Sequence, residues 1–316
     1  MSRRVLVLGG TGFLGAAIAE RFRAAGDLVT TVSRTRIGER AGHERLDLGR
    51  AGADRLARLL AGHRPQVVVN AAGTVWGGSG RQMTELNAEF TERLVTAVSL
   101  YPGRPRLIQL GSAHEYGPIP SGTSVTEETP PAPVSEYGRS KLRGTEAVLR
   151  GANTTTLDGT VLRVANAAGP GIPRDSLLGA VAHSLAEPTP GSEAPVPIHL
   201  TALTASRDFV DVRDVADAVL ATAGAGGVTG RIVNIARGEA VPVRDLVHRL
   251  IELSGVRAEV IEARPGTSLR AGHGWQRLDV RRARDLLGWR PARHLDESLT
   301  ALLAAVQPRY REGAPR

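Results

Sequence analysis

The sequence predicts an α/β fold, a doubly wound parallel sheet that carries a smaller unit of mixed α/β structure. Three observations predict it. Short apolar runs bounded by turn residues alternate with helical stretches from the N-terminus to about residue 165. A glycine-rich loop, Gly9-Gly10-Thr11-Gly12-Phe13-Leu14-Gly15, joins the first run to the first helix. Beyond Asn166 the alternation gives way to clusters of Pro and Gly before regular structure returns.

Val5-Leu6-Val7-Leu8 is a short apolar run closed by Gly9-Gly10, as in a strand buried on both faces. A helix follows over 16–25 and stops at Gly26. Strands are expected over 28–32 and 44–48, a helix over 53–62, and a strand over 66–70 that runs into Ala71-Ala72-Gly73. A helix over 83–100, a strand over 106–110, a helix over 136–150 and a strand over 160–164 continue the rhythm. Pro and Gly at 169–173 and again at 188–197 mark a loop-rich excursion. Regularity resumes with 209–212, a helix over 215–223 and a strand over 231–235. Helices over 243–253, 281–287 and 295–306 close the chain, which has no internal repeat and no low-complexity segment.

Composition narrows the function classes. At 316 residues and 41% apolar content the chain can bury a large core. It has no cysteine, hence no disulfide, thiolate metal site or cysteine nucleophile, and no metal ion is expected. The apolar run behind Met1-Ser2-Arg3-Arg4 breaks at Gly9 and is too short for an export signal, and no stretch reaches the ~20 apolar residues of a membrane span. A cytoplasmic protein is expected. The net charge of +8 raises nucleic acid as a partner, but the arginines are scattered and only 3% of residues are aromatic. Stacking platforms need aromatics beside basic stripes, so the excess charge points instead to small anionic ligands such as phosphates.

The glycine loop lies between a strand and a helix, and that context gives the motif its weight. Glycines at the turn let backbone N–H groups approach a pyrophosphate, and the helix N-terminus adds its partial positive charge. Such sites read the adenosine ribose at the end of the second strand, where an acid selects NAD and an arginine accommodates a 2′-phosphate. Here the strand ends in Ser33-Arg34-Thr35-Arg36, with no acid. NADP(H) is therefore the expected cofactor, with Ser33, Arg34 and Arg36 around the phosphate. The competing reading of Arg34 is one more surface arginine in an arginine-rich chain.

All but one of the 40 basic residues are arginine, and the exception is Lys141. It follows Tyr137 by four residues in Tyr137-Gly138-Arg139-Ser140-Lys141, so on a helix the two share a face. Lysine is a compact point charge with a tunable pKa, unlike the rigid guanidinium fork. The expectation is that the ammonium favours the phenolate and lowers the Tyr137 pKa from about 10 towards working pH.

Together these residues resemble the extended short-chain dehydrogenase/reductase superfamily, of the nucleotide-sugar epimerase, dehydratase and reductase type. The resemblance spans nearly the whole chain. It rests on the loop from Gly9 to Gly15, Asp47-Leu48, Asn70-Ala71-Ala72-Gly73 and Gly111-Ser112-Ala113-His114-Glu115-Tyr116-Gly117. The pair Tyr137 and Lys141 belongs to it, as do Leu162-Arg163-Val164-Ala165-Asn166 with Gly169-Pro170-Gly171, Arg207-Asp208-Phe209-Val210-Asp211-Val212 and Arg264-Pro265-Gly266. It implies a Rossmann-type dinucleotide-binding domain over 1–166 and a mainly substrate-binding domain over 167–316, with about 205–236 returning to the first. It implies Ser112, Tyr137 and Lys141 as the catalytic triad. Cofactor contacts are implied from Gly9, Thr11, Gly12, Phe13, Leu14, Gly15, Asp47, Leu48, Ala71, Ala72, Gly73, Asn87 and Leu110, with Tyr137 and Lys141. Substrate contacts are implied from Ser112, His114, Asn166, Arg207 and Arg264. Arg207 could instead pair with Asp208 or Asp211, Asn166 could tie a loop backbone together, and His114 could be a solvated loop residue. A homodimer through the helices over 83–100 and 136–150 is also implied.

Sugar 4,6-dehydratases resemble one another in an acid at the position of His114, often preceded by Asp at that of Ala113. This chain has Ala113-His114 there, and its pattern is closer to the 4-ketoreductases that finish 6-deoxysugars. The expected function is NADPH-dependent 4-ketoreduction of a nucleotide-activated 4-keto-6-deoxyhexose, with dTDP as the carrier. The alternatives are a nucleotide-sugar 4-epimerase with tightly bound NAD and a non-catalytic NADP-binding regulator on the same fold.

Overall fold

The computed structural model describes residues 2–34, 42–74, 79–187, 194–263 and 274–306. The first half of the chain runs β1 (Arg4–Leu8), α1 (Phe13–Ala24), β2 (Leu28–Ser33), β3 (His43–Arg45), α2 (Ala53–His63) and β4 (Val67–Asn70). Next come α3 (Gly80–Met83), a π-helical stretch (Thr84–Glu89), α4 (Phe90–Leu100), β5 (Arg106–Ser112), a 3₁₀ turn (Ala113–Glu115), α5 (Glu136–Thr154) and β6 (Gly159–Val164). The second half adds β7 (Asn166–Ala168), α6 (Leu177–Ala186), β8 (Val196–Leu200), β9 (Ser206–Asp211), α7 (Val212–Gly224) and β10 (Ile232–Ile235). It ends with β11 (Ala240–Pro242), α8 (Val243–Ser254), β12 (Ala258–Glu262), α9 (Arg281–Leu287) and α10 (Leu295–Val306).

Among the described residues the main sheet has seven strands in the order β10-β6-β5-β4-β1-β2-β3, and every pairing in it is parallel. Parallel strands need a helix on each crossover, so both faces are covered and the strands read as unbroken apolar runs. The alternation of side chains along β1 divides the core accordingly. Val5 and Val7 join Ile18 and Phe22 of α1 and Val215 and Val219 of α7 on one face. Leu6 and Leu8 join Leu56 and Leu60 of α2 and Phe90 and Leu94 of α4 on the other. Each such side chain, fully buried, contributes about 1.5–3 kcal/mol.

β10 comes from residue 232 yet forms an edge of this sheet beside β6, with Ile232 opposite Val161 and Ile235 opposite Val164. A third core cluster joins α6, α8 and α10 to β9 through Leu178, Leu246, Leu250, Leu302 and Phe209. Two small sheets serve that region: β11-β9-β7 and the parallel pair β12-β8. The helix α6 and the short strands other than β9, which overlaps the regular segment at 209–212, were not apparent from sequence, although Ser176, whose side chain caps Gly179 N–H, is a helix-start signal ahead of an apolar run.

The stretch read as one helix over 83–100 is interrupted by the π-helical segment. Within that turn Asn87 directs its side chain to Ser140 of α5, and such turns are frequent near functional sites.

Candidate active site

β1 delivers the chain into the glycine loop at the carboxyl edge of the sheet, where open α/β folds bind ligands. Gly9 has φ +79°, and its N–H donates to the Val32 carbonyl at 2.8 Å. A Cβ at Gly9 would lie 2.7 Å from the Ala72 backbone, and one at Gly15 would lie 2.1 Å from the Gly9 carbonyl oxygen. Only glycine fits either position. Gly12 begins α1 with no side-chain cap, so the first amides and the positive helix end form an anion seat. Thr11, Phe13 and Leu14 are half-buried around it, Phe13 against the core of the second half and Leu14 against the α1 face of the sheet. A dinucleotide pyrophosphate fits this seat, because the close backbone packing at Gly9 and Gly15 shapes the loop and leaves the α1 N-terminus without a side-chain cap.

Ser33 is buried and Arg34 exposed at the end of β2, next to the loop that bonds the Val32 carbonyl. Asp47 is exposed and accepts the Gly49 N–H at 3.1 Å, while Leu48 is buried. Arg36 and Arg264 lie outside the described residues. The Ala71 N–H donates to the Leu8 carbonyl at 3.0 Å, and the Ala72 N–H to Asn70 Oδ1 at 3.2 Å, which holds the end of β4 against the loop. Gly73 is exposed. Asn87 is buried and fully engaged: its Oδ1 accepts the Thr74 N–H at 3.1 Å, and its Nδ2 donates to the Thr74 carbonyl at 3.1 Å and Ser140 Oγ at 3.0 Å. It ties the segment after β4 to the helix that carries Tyr137 and Lys141.

The expected triad converges. Ser112 ends β5, and α5 brings Tyr137 and Lys141 over it, with the Tyr137 hydroxyl hydrogen-bonded to Ser112. The 3₁₀ turn after Ser112 is a capping box: Ser112 Oγ accepts the His114 N–H at 3.2 Å, and Glu115 Oε1 accepts the Ser112 N–H at 2.7 Å. The His114 ring meets the Tyr137 ring edge-on at 5.6 Å and 74°. Lys141 is 5% exposed and donates from Nζ to the Leu110 carbonyl at 2.5 Å. Leu110 thus serves the site through its backbone.

The electrostatics correct one expectation. Burial pushes the Tyr137 phenol up to about 12, against a lowering hydrogen bond from Ser112 and with a further rise from the Glu115 charge. The same burial pushes Lys141 down to about 8, opposed by Glu115. Tyr137 is therefore raised, not lowered towards working pH. Desolvation of the phenolate is the largest cause of the rise, and Tyr137 holds its proton at neutral pH.

Among the residues expected to meet substrate, Asn166 Nδ2 donates to the Asp208 carbonyl at 2.9 Å and Gln276 Oε1 at 2.6 Å. Asp208 accepts three backbone N–H groups, from Arg237, Gly238 and Leu278, and Asp211 is paired with Arg213 at 2.7 Å. Arg207 is half-buried on β9, and desolvation lowers its pKa. Sequence reasoning missed Gln276, which meets Asn166 across 110 positions and has no motif around it. It also passed over Glu115 and Arg163, both of which lie inside quoted motifs, as polar partners of one another.

Residues 5–236 match the NAD dependent epimerase/dehydratase family, and the chain belongs to it. It is a nucleotide-sugar-modifying enzyme of the extended short-chain dehydrogenase/reductase type that uses a nicotinamide cofactor. The chain is 43% identical over 304 residues to dTDP-6-deoxy-L-talose 4-dehydrogenase (NAD(P)(+)) of Kitasatospora kifunensis, covering 96% of this chain and 95% of that one. It is 26% identical over 253 residues to GDP-6-deoxy-D-mannose reductase of Pseudomonas aeruginosa, covering 78% and 82%. Among solved structures it resembles MoeE5 in complex with UDP-glucuronic acid and NAD, with a TM-score of 0.81 and 26% identity over 95% of this chain and 98% of that one. No helix among the described residues is long and apolar enough to cross a membrane.

Proposed function

We propose that this enzyme is an NADPH-dependent 4-ketoreductase of a dTDP-activated 4-keto-6-deoxyhexose. The observation that carries the reading is the meeting of Tyr137 with Ser112 at the end of β5, in a site built for a dinucleotide. Reduction of a ketone needs a proton donor at the oxygen, and a phenol pushed up to about 12 is one throughout the neutral range. The K. kifunensis relative supports the carrier, the carbon and the reaction class, since its name joins a dTDP-6-deoxysugar to a 4-dehydrogenase. Reduction is that reaction in reverse.

Bound NADPH supplies the hydride to C4. Gly9, Gly12 and Gly15 hold its pyrophosphate, Arg34 and Arg36 take the 2′-phosphate, and Lys141 bonds the ribose. Ser112 hydrogen-bonds the C4 oxygen and fixes it within reach of Tyr137. Tyr137 gives its proton to the developing alkoxide, and Lys141, charged below about 8, stabilises the phenolate left behind. Arg207, Asn166 and Arg264 take the nucleotide diphosphate, and His114 orients the sugar. Ala113-His114 provides no carboxylate for removing water across C5 and C6, so a separate dehydration must supply the keto sugar. The division into a cofactor domain over 1–166 and a mainly substrate domain beyond it, a cytoplasmic setting and a homodimer through the helices over 83–100 and 136–150 belong to the same proposal.

Incubation with NADPH and a dTDP-4-keto-6-deoxyhexose is expected to consume NADPH mole for mole with sugar reduced. Constant NADPH while a UDP-hexose interconverts with its C4 epimer would replace this reading with epimerisation. Tight NADP binding with no turnover of any nucleotide sugar would leave a regulator.

A further inference from the structure

Behind Ser112 lies a buried ion pair that the mechanism above does not use. Glu115 is 0% and Arg163 2% exposed at the side chain, and Arg163 Nε donates to Glu115 Oε2 at 2.8 Å. The other carboxylate oxygen, Oε1, accepts the Ser112 N–H at 2.7 Å. The carboxylate therefore clamps the catalytic strand end to β6. Arg163 in turn lies over the Tyr116 ring at 4.5 Å, and the Tyr116 hydroxyl donates to Asn234 Oδ1 at 2.7 Å on β10.

A buried ion pair is a poor route to stability, because desolvating both charges offsets most of their attraction and an apolar pair of the same volume does as well or better. Its position matters more. We propose that the Glu115–Arg163 pair is a positioning element of the reacting centre, one that aims Ser112 through its backbone amide and sets a buried carboxylate beside the helix that carries Tyr137 and Lys141. This rests on the assignment of Ser112, Tyr137 and Lys141 as the reacting groups.

The charged and titratable groups around Glu115 come from every neighbouring element. Arg163 reaches it from β6, α5 with Tyr137 and Lys141 packs against its turn, and His114 and Tyr116 flank it on that turn. Glu127 sits beyond Tyr116, where its Oε1 accepts the Asn234 N–H at 2.8 Å. Of these charges, that of Glu115 acts on both Tyr137 and Lys141, and it raises both. The carboxylate thus adds to the desolvation that holds the proton on Tyr137 and opposes the desolvation that pulls Lys141 down.

Two conservative variants separate the two roles. Glu115→Gln retains an oxygen for the Ser112 N–H but removes the charge. The basic limb of its kcat–pH profile is expected to move to lower pH by about half a unit or more, whether Tyr137 or Lys141 sets that limb. If the orphaned guanidinium unfolds this variant, Arg163→Met is added to it, and a smaller shift in the same direction is expected because the two charges partly cancel. Glu115→Asp keeps the charge and the Arg163 partner but draws the carboxylate one methylene away from the Ser112 amide. Its kcat is expected to fall at least tenfold, with KM within about twofold and the limb unmoved. A limb at the wild-type pH once the charge is gone, or a Glu115→Asp kcat within twofold of wild type, overturns the proposal. Wild-type NADPH consumption decides the reductase reading alone. The variant profiles are compared with wild type on whichever nucleotide-sugar reaction it catalyses, so the two readings fail separately.

Discussion

Replacing Lys141 with methionine is expected to stabilise the protein while removing its activity. Methionine has nearly the same length and carries no charge. In the unfolded chain a lysine titrates at its usual 10.5, whereas in the fold burial pushes Lys141 down to about 8. Below pH 8 the lysine is charged in both states, and the fold bears the whole cost of burying the ammonium. At about 1.4 kcal/mol per unit the difference amounts to about 3 kcal/mol. The variant forfeits the hydrogen bond from Nζ to the Leu110 carbonyl, worth about 1 kcal/mol. That carbonyl is not orphaned, because Gln109 Nε2 also donates to it at 3.1 Å. The net gain at pH 7 is about 2 kcal/mol, or about 3 °C in Tm for a chain of this size. Between pH 8 and 10.5 the unfolded state binds more protons than the folded one, so wild-type stability rises with pH and the advantage of the variant shrinks. Above that window the variant is the less stable by the lost hydrogen bond. Thermal unfolding of both cofactor-free proteins at pH 7 and pH 10.5 measures this. A variant less stable than wild type at pH 7, or a difference that does not change with pH, would refute the burial argument.

Lys141→Arg keeps the charge in a chain that otherwise uses arginine throughout, and steady-state assay should show activity at least about a hundredfold down, since size and position are needed as well as charge. Near wild-type turnover would reduce the single lysine to coding bias. Arg34→Asp should weaken NADPH binding by tenfold or more and spare NADH, because charge-assisted bonds to a 2′-phosphate are worth about 1.5–3 kcal/mol. Equal wild-type affinity for NADH and NADPH, measured by titration, would sink that cofactor assignment.

Local signals made much of this molecule legible from its residues. The run Val5 to Leu8 reads as a doubly buried strand, and Gly9 and Gly15 stand where backbone comes within 2.7 and 2.1 Å of any Cβ. Tyr137 and Lys141 share a face because a helix repeats every 3.6 residues. These are consequences of period and of hard-sphere contact within a few positions along the chain. The tertiary structure decided the rest. The π-helical stretch that turns Asn87 onto Thr74 and Ser140, and the arrival of β10 beside β6, depend on partners that local sequence does not name. Glu115 and Arg163 meet across 48 positions, and Asn166 and Gln276 across 110. The direction of the Tyr137 shift was also set there. The spacing of Tyr137 and Lys141 placed a cation near a phenol, but the sign of the shift depends on how much water the fold removes from each, and desolvation is a property of the whole packed interior.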